Sequence, residues 1–289
     1  MLVDMTQLLQ EAKQGKYALG AFNVHNLETT LAVVRGAVAA RSPLVLQISE
    51  STMKYGGLKI MTAIVEIVAR EEAKNIPVAL HLDHGKSFRT VAACIQAGFS
   101  SIMIDASELP MNENIILTKQ AVDYAHRKDV IAQGELGVVK GLEEGSHEDR
   151  ERAMTDPQEA AHFVDQTGVD TLAVAVGNVH GIVKIKKGNP GLNIERLKEI
   201  SKAIPHTPLV LHGASGLGAA QLKEAIENGI GIVNFNTELK VTFTGRLRET
   251  LSTNEDLFDP RDYMRPSIES LQQLVAQKLE ILGSAGTAG

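Results

Sequence analysis

Short apolar segments recur eight times along this chain of 289 residues, and stretches of helical periodicity separate them. The segments are AFNVH (21–25), PLVLQIS (43–49), VALHLDH (78–84), SIMIDAS (101–107), VIAQGELG (130–137), TLAVAVG (171–177), PLVLHGAS (208–215) and GIVNFNT (231–237). Nearly continuous apolar segments are typical of parallel strands covered on both faces. Between them, residues 60–75 and 221–229 fit amphipathic helices. Eight strand–helix units predict a single α/β domain over 1–289, a closed (β/α)8 TIM barrel with extra terminal helices.

The bulk properties exclude several classes of protein. A net charge of −6 opposes a nucleic-acid surface, which needs clustered basic residues. The single cysteine, Cys94, rules out an intramolecular disulfide and a cysteine-rich zinc site. The first residues read as an amphipathic helix rather than a secretion signal, and no segment is long enough to cross a bilayer. We therefore expect a cytoplasmic protein with no membrane partner, and a loosely ordered tail at 283–289.

Polar residues stand at or just beyond the end of almost every apolar segment. They are Asn23, Ser49, Asp83, His84, Asp105, Glu135, His180, His212 and Asn234. In a barrel of this kind the carboxyl ends of the strands and the following loops assemble the active site. The sequence therefore predicts that these distant side chains meet at one mouth of the barrel.

Three histidines, His84, His180 and His212, share one context, since each is followed by glycine near a strand end. Three imidazoles with an open fourth position are the usual ligand set of a catalytic zinc ion. Any one of them also fits a hydrogen-bonded core or loop residue, so the metal interpretation depends on all three together. Structural or surface roles suit the other histidines near the motifs, which are His25, His81, His126, His162 and His206.

Several carboxylates accompany these histidines. Asp83 adjoins His84, while Asp105 and Glu135 stand at the ends of neighbouring strands. Each of these two fits one of three roles: a second metal ligand, an orienting group or a helix cap. Glu143 and Glu144 lie in a glycine-punctuated polar stretch. That stretch reads either as a loop that folds over the mouth with an acid–base carboxylate or as a solvated acidic loop.

A phosphate site is predicted beside the histidines. Residues 212–218, HGASGLG, follow the seventh strand and precede a helix, and 234–238, NFNTE, open the next one. Backbone N–H groups at helix amino termini attract anions, and this fold commonly binds phosphate after strands seven and eight. Lys184, four residues after His180, adds a positive charge.

Motifs along the whole chain carry a resemblance to a known family. They are HLDHG (81–85), SIMIDAS (101–107), GELG (134–137), GNVHGIVK (177–184), LVLHGASG (209–216), VNFNTE (233–238) and DPRDYMRP (259–266). In this order they resemble the class II fructose-bisphosphate and tagatose-bisphosphate aldolase family. The resemblance implies zinc-dependent cleavage of a ketose 1-phosphate to dihydroxyacetone phosphate and an aldehyde such as glyceraldehyde 3-phosphate, by a homodimer or homotetramer.

The resemblance also implies residue roles. His84, His180 and His212 would bind Zn²⁺, with Asp105 and Glu135 as further candidate ligands. Asp83 would be the acid–base at the C4 hydroxyl, Asn234 would hold the enediolate, and Glu143, or Glu144 beside it, would move the proton on the dihydroxyacetone phosphate carbon. Residues expected at the C1 phosphate are Gly181, Lys184, Gly213, Ser215, Asn236 and Thr237. Backbone oxygens of Val179, Gly181 and Gly213 resemble a site for Na⁺ or K⁺, and Asn23 and Ser49 match positions that line the substrate pocket.

The distal half of the substrate stays open. Arg261 resembles an arginine that, in some members, reaches a neighbouring subunit and binds the 6-phosphate, and Glu269 does not settle the C4 configuration. Relatives also act on a deoxy-keto-gluconate phosphate or a sulfonated sugar phosphate. The chain departs from the family pattern at Asn236, where aspartate is frequent, and in a basic segment, 182–195. Rival functions are a zinc hydrolase, which usually begins with a His-x-His pair that is missing around His25, and a non-catalytic sugar-phosphate sensor.

Overall fold

A computed structural model describes residues 2–139, 147–254 and 256–288. Eight parallel strands close into a barrel in sequence order, with β8 paired to β1. They are β1 (Leu19–Asn23), β2 (Leu44–Ser49), β3 (Val78–Gly85), β4 (Ser101–Ile104), β5 (Ile131–Leu136), β6 (Thr171–Val174), β7 (Leu209–Leu211) and β8 (Ile230–Phe235). The predicted (β/α)8 barrel is confirmed.

Helices surround the barrel and occupy the connections between strands. They are α1 (Met5–Gly15), α2 (Leu27–Ala40), α3 (Glu50–Gly56), α4 (Leu58–Glu72), α5 (Phe88–Gln96), α6 (Met111–His126), α7 (His147–Arg152), α8 (Pro157–Thr167), α9 (Val183–Lys187), α10 (Ile194–Ala203), α11 (Ala219–Glu227), α12 (Thr237–Thr253) and α13 (Pro260–Ile281). Local sequence sets their ends: Asp156 caps the first turn of α8, Pro157 opens the helix, and Gly168 ends it in the left-handed conformation. None of the helices among the described residues is long and apolar enough to cross a membrane.

The barrel interior changes character along the strand direction. Apolar residues fill its amino-terminal part, where Leu19, Val45 and Ala79 pack in one cluster with Met5 and Leu8 of α1. Because alternate residues of a strand share a face, the same inward face continues two and four residues later. There it carries polar side chains, among them Asn23, Gln47, His81, Asp83, Gln133, Glu135 and Asn234, all of them buried. One end of the barrel is thus closed by apolar packing, and the other is lined with polar and ionisable side chains.

The carboxyl-terminal segment differs from the sequence-based expectation of a loosely ordered tail. Ser284 is fully buried and its hydroxyl accepts a hydrogen bond of 2.7 Å from Ser42. The backbone N–H of Gly286 donates to Ala40 at the end of α2, and that of Ala288 donates to Arg41. Small residues allow this close approach, so a composition typical of disorder here serves packing against α2.

Candidate active site at the carboxyl end of the barrel

Three imidazoles meet at the polar mouth of the barrel. Side-chain nitrogens of His84, His180 and His212 all lie within 4.8 Å of one another. Nε2 of His84 is 3.0 Å from Nδ1 of His212, and Nε2 of His180 is buried with no hydrogen-bond partner among the described residues. Leaving a buried polar nitrogen unpaired costs about 1–3 kcal/mol. A metal ion bound by all three nitrogens would remove that cost, so the donor set fits a metal ion.

The protonation states of two of the three imidazoles favour metal binding. Burial lowers the pKa of His180 to about 4 and that of His212 well below its usual value, so both rings are neutral and offer a lone pair. Burial opposes the charged form of His84 as well, but the carboxylates of Asp83 and Asp105 outweigh it and raise the pKa of His84 to about 10. A bound cation would compete with that proton for the ring nitrogen.

The backbone at the end of β3 directs His84 into the mouth. His84 adopts a positive φ of 50°, uncommon for a residue with a side chain, and the β3–β4 register shifts between Leu82 and Gly85. A Cβ atom at Gly85 would lie 2.7 Å from the backbone oxygen of Met103, so only glycine fits there. The glycine after this histidine is required by strand packing, and the irregularity re-aims the imidazole.

A second set of possible metal ligands lies behind His84. His84, Asp105 and Glu135 meet the same 4.8 Å distance limit. Asp105 accepts from Nδ1 of His84 at 2.7 Å, from Lys86 at 2.6 Å and from the Ser107 hydroxyl at 2.8 Å, which suits an orienting group. Oε2 of Glu135 is 3.8 Å from Nδ1 of His84 and has no hydrogen-bond partner among the described residues, and burial raises the pKa of Glu135 to about 8.

Asp83 stands beside the imidazoles with one oxygen held and one free for chemistry. Its Oδ2 accepts a hydrogen bond of 2.8 Å from the amide of Asn23. Its Oδ1 is 3.9 Å from Nε2 of His84 and has no hydrogen-bond partner in the described part of the chain. Burial raises the pKa of a carboxyl, but the imidazoles of His84 and His212 and the Asn23 hydrogen bond outweigh it and lower the pKa of Asp83. A held, ionised carboxylate can accept a proton through its free oxygen.

His212 is held in position by polar side chains, two of which were not predicted from the sequence. Nε2 of Gln133 lies 3.2 Å from Nε2 of His212, and the Asn178 amide donates to the backbone oxygen of His212 at 3.0 Å. Asn234, which was predicted here, places its amide 3.2 Å from Nε2 of His212 and keeps a buried side-chain oxygen without a partner among the described residues. Asn178 lies inside the GNVHG motif, and Gln133 shares the inward face of β5 with Glu135, so alternation and motif position were the available signals.

The predicted phosphate residues adjoin the imidazoles. One cavity is lined by Asn23, Asp83, His84, His180, Lys184, His212, Gly213, Ser215, Asn234, Asn236 and Thr237. The Lys184 side chain is buried, and its ammonium donates to the backbone oxygen of Val179 at 2.5 Å and to that of Gly213. Burial lowers the pKa of Lys184 to about 8. The cavity also meets the amino terminus of α12 at Thr237, where backbone N–H groups can bind an anion.

Other predicted site residues lie elsewhere. Gly181 and Ser49 do not line this cavity among the described residues; Gly181 follows His180 with a φ of 88°, and the Ser49 hydroxyl caps α3. Arg261 is exposed at the start of α13, paired with Asp259 at 2.6 Å. Glu143 and Glu144 lie outside the described residues, and their predicted role stays a prediction.

Three other histidines do not line this cavity among the described residues. His81 is buried inside the barrel with Nδ1 2.8 Å from the Ser101 hydroxyl. His126 pairs with Asp170 at 2.9 Å on the outer surface. His25 is half-buried near the mouth, and burial together with the charge of Lys240 lowers its pKa to about 4.

Comparisons with known proteins cover the whole chain. A family model described as "Fructose-bisphosphate aldolase class-II" matches residues 3–287. The chain is 41% identical over 288 residues to a probable fructose-bisphosphate aldolase of Bacillus subtilis (strain 168), with 99% of each covered. It is 42% identical over 287 residues to a 6-phospho-5-dehydro-2-deoxy-D-gluconate aldolase of Bacillus licheniformis, covering 99% of this chain and 96% of that one. The crystal structure of the YdjI aldolase from Escherichia coli K12 matches with a TM-score of 0.85 and 32% identity over 100% of both chains.

Proposed function

Because this chain belongs to the class II fructose-bisphosphate aldolase family, we propose that it cleaves a ketose 1-phosphate of the fructose or tagatose 1,6-bisphosphate type with the help of zinc. The observation that carries this proposal is one cavity that combines three imidazoles, the carboxylate of Asp83 and the amino terminus of α12, which suits a phosphate. Membership of an aldolase family favours this function over the zinc hydrolase and the non-catalytic sensor.

His84, His180 and His212 would hold the zinc ion, since three imidazoles with an open fourth position are the usual catalytic set, and the ion would displace the proton of His84. When bound, zinc polarises the substrate C2 carbonyl as a Lewis acid and so favours charge at C3. Asp105 accepts from Nδ1 of His84 at 2.7 Å and keeps that ring oriented. Asp105 and Glu135 also remain candidate ligands for a metal position behind His84, because all three side chains form one cluster.

Asp83 would carry the proton transfer that breaks the bond. In cleavage its free Oδ1 accepts the proton of the C4 hydroxyl, C4 becomes the aldehyde carbonyl, and the electrons of the C3–C4 bond move onto the C2–C3 unit. The Asn23 hydrogen bond to Oδ2 holds the carboxylate in place. The unpartnered side-chain oxygen of Asn234 can accept from a hydroxyl of the enediolate. Glu143, or Glu144 beside it, would then protonate C3 to release dihydroxyacetone phosphate.

The C1 phosphate would bind between Lys184 and the amino terminus of α12, with contacts from Gly181, Gly213, Ser215, Asn236 and Thr237. Lys184 already donates to the backbone oxygens of Val179 and Gly213, two of the three oxygens expected around Na⁺ or K⁺. An ammonium and a monovalent cation therefore compete for the same oxygens. We propose that a cation binds there when Lys184 turns toward the phosphate, so that both positive charges face the substrate.

The proposal does not specify which distal group the substrate carries. Relatives of similar identity carry names of two different aldolases, one for fructose bisphosphate and one for a deoxy-keto-gluconate phosphate. Arg261 is exposed and is not among the described residues that line the catalytic cavity, so we propose that it serves a distal anion across a subunit contact of the expected homodimer or homotetramer. Asn23 and Ser49 are the proposed contacts of the sugar chain within the same subunit.

A substrate panel tests the proposal. Release of dihydroxyacetone phosphate would be followed in a coupled assay, with and without EDTA, on four substrates. They are fructose 1,6-bisphosphate, tagatose 1,6-bisphosphate, 6-deoxy-6-sulfofructose 1-phosphate and 5-dehydro-2-deoxygluconate 6-phosphate. We expect chelator-sensitive cleavage of one of the first two. Cleavage of one of the last two instead would keep the chemistry and change the distal group, whereas full activity in EDTA would overturn the zinc role.

A further inference from the structure

A second cleft opens at the amino-terminal end of the barrel, opposite the candidate active site. It holds about 690 Å³ and lies between α1, the end of α10 and the turns that lead into β7 and β8. Pro208 and Gly231 contribute to its wall at the start of these two strands. His212 and Asn234 stand at the other ends of the same strands. The cleft is therefore separate from the catalytic cavity.

The rim of this cleft is strongly basic although the chain as a whole carries a net charge of −6. Side chains of Lys13, Lys16, Lys198 and Lys202 line it, together with His206. Lys198 is paired with Glu195 at 2.7 Å. Lys13, Lys16 and Lys202 are exposed and form no ion pair with a described residue, and the one acidic residue in the lining is Glu227. Several ammonium groups around one concavity create a positive potential that attracts anions.

The wall beneath this rim is apolar. It is formed by Leu9, Ala12, Tyr17, Ile204, Pro205, Pro208, Ile226 and Ile230. The Tyr17 side chain is buried against the barrel end, and Ile204 is also buried. An inorganic ion would leave these surfaces wet, whereas an organic body placed on them removes apolar area from water at about 25 cal/mol per Å². The combination suits a ligand that is anionic at one end and flat and apolar at the other.

The size of the cleft narrows the class of ligand further. Small-molecule sites commonly enclose about 300–1,000 Å³, and this cleft lies within that range. We propose that the cleft binds a phosphorylated small molecule with an aromatic body, of the size and chemistry of a mononucleotide. Its phosphates contact Lys13, Lys16 and Lys202, and its ring packs on the Tyr17 and Pro208 side of the wall.

Calorimetric titration of the zinc-loaded enzyme with ADP tests this site, with saturating dihydroxyacetone phosphate present to fill the catalytic cavity. The probes for comparison are adenosine, which lacks the charge, and inorganic phosphate, which lacks the ring. We expect ADP to bind more tightly than either. Binding that disappears when dihydroxyacetone phosphate is present would assign ADP to the catalytic cavity and overturn the proposal, as would the absence of binding or phosphate binding as tight as that of ADP.

Matched variants distinguish ADP binding at this cleft from a general effect of the net charge. Lys13→Ala, Lys16→Ala and Lys202→Ala combined should weaken ADP binding by roughly 30-fold or more, because charge-assisted contacts to phosphate are lost. The control combines Lys59→Ala, Lys74→Ala and Lys223→Ala, three exposed lysines outside the cleft that change the net charge equally. We expect no change in the control and near-normal binding when the three cleft lysines become arginine. Equal weakening in both triple variants would overturn the proposal.

Discussion

Lys278, in the last turn of α13, forms a mostly buried ion pair of 2.9 Å with Glu238 in the first turn of α12. The other carboxylate oxygen of Glu238 accepts a hydrogen bond of 3.4 Å from the backbone N–H of Gly216. The backbone N–H of Glu238 donates to the Ser215 hydroxyl at 3.2 Å. The carboxyl-terminal helix is thereby connected to the proposed phosphate loop. This pair neutralises a carboxylate that would otherwise repel a bound phosphate.

Lys278→Met should therefore affect both stability and substrate binding. Leaving Glu238 without its cation should lower the free energy of unfolding by roughly 2 kcal/mol and raise KM for the phosphorylated substrate. Guanidinium chloride unfolding and steady-state kinetics measure the two effects. The control is Lys119→Met, which removes an exposed pair with Asp123 and should cost no more than about 0.5 kcal/mol. Equal losses in the two variants would contradict a special role for Lys278.

Asp83→Asn should keep the metal and lose cleavage. The substitution keeps the size of the side chain but removes the base, so we expect kcat to fall by about 10²- to 10⁴-fold. Metal content, measured by mass spectrometry, should stay at the wild-type level because the imidazoles are intact. The control is Asp123→Asn, which changes an exposed carboxylate paired with Lys119 and should leave kcat unchanged. Retention of most activity by Asp83→Asn would sink the proposed acid–base role.

Metal removal should inactivate the enzyme and identify its ligands. We expect EDTA treatment to abolish cleavage and added Zn²⁺ to restore it. His180→Ala removes one of three clustered imidazoles and should lose zinc together with activity. His162→Ala, at an exposed position on α8, serves as the matched control and should retain both. Normal zinc content in purified His180→Ala would remove this residue from the ligand set.

Lys184→Met should weaken phosphate binding without changing the metal. Loss of a charge-assisted contact of about 1.5–3 kcal/mol corresponds to roughly a 10- to 100-fold rise in KM. The buried oxygens of Val179 and Gly213 would lose their ammonium donor at the same time. We therefore expect activity of this variant to depend more strongly on added K⁺ than that of the wild type. Lys223→Met should match the wild type, and an unchanged KM for Lys184→Met would exclude a phosphate contact.

One ion pair gives a stability change with a defined pH window. Arg35 on α2 donates two hydrogen bonds to Glu72 at the end of α4, and this contact lowers the pKa of Glu72. A carboxyl whose pKa is lowered in the folded state stabilises the protein above its unfolded pKa of about 4.3, and the contribution disappears as pH falls through the lower folded pKa. Both side chains are partly exposed, 42% and 33%, so solvent screening keeps the effect small.

Glu72→Gln should accordingly reduce the free energy of unfolding by about 0.5 kcal/mol at pH 7 and by nothing measurable near pH 3. Urea unfolding at both pH values measures this difference. Glu66→Gln, at an exposed position of α4 six residues earlier, is the control and should show no pH-dependent change. A penalty at pH 3 as large as that at pH 7 would show that the Glu72 effect is packing rather than charge.

The sequence by itself determined the barrel and predicted which polar residues stand at its mouth. Apolar segments alternating with helices left few ways to bury both faces of each strand, and polar residues at the strand ends then had to meet. The structure places side chains of His84, His180, His212, Asp83 and Lys184 around one cavity. Their roles in binding metal, phosphate and protons remain predictions. Motif order along the chain was also enough to identify the family that the comparisons show.

Tertiary structure alone decided what depends on contacts between distant elements. The choice of Asp105 as the partner of Nδ1 of His84 depends on the bulge at the end of β3, which no local pattern reveals. The Lys278–Glu238 pair and the packed tail at Ser284 depend on where α13 lies against the barrel. The basic cleft joins Lys13 to Lys202, far apart in sequence, because α1 covers the barrel end beside α10. Periodicity and local propensity act over a few residues, whereas these features arise only when separate helices close around the same core.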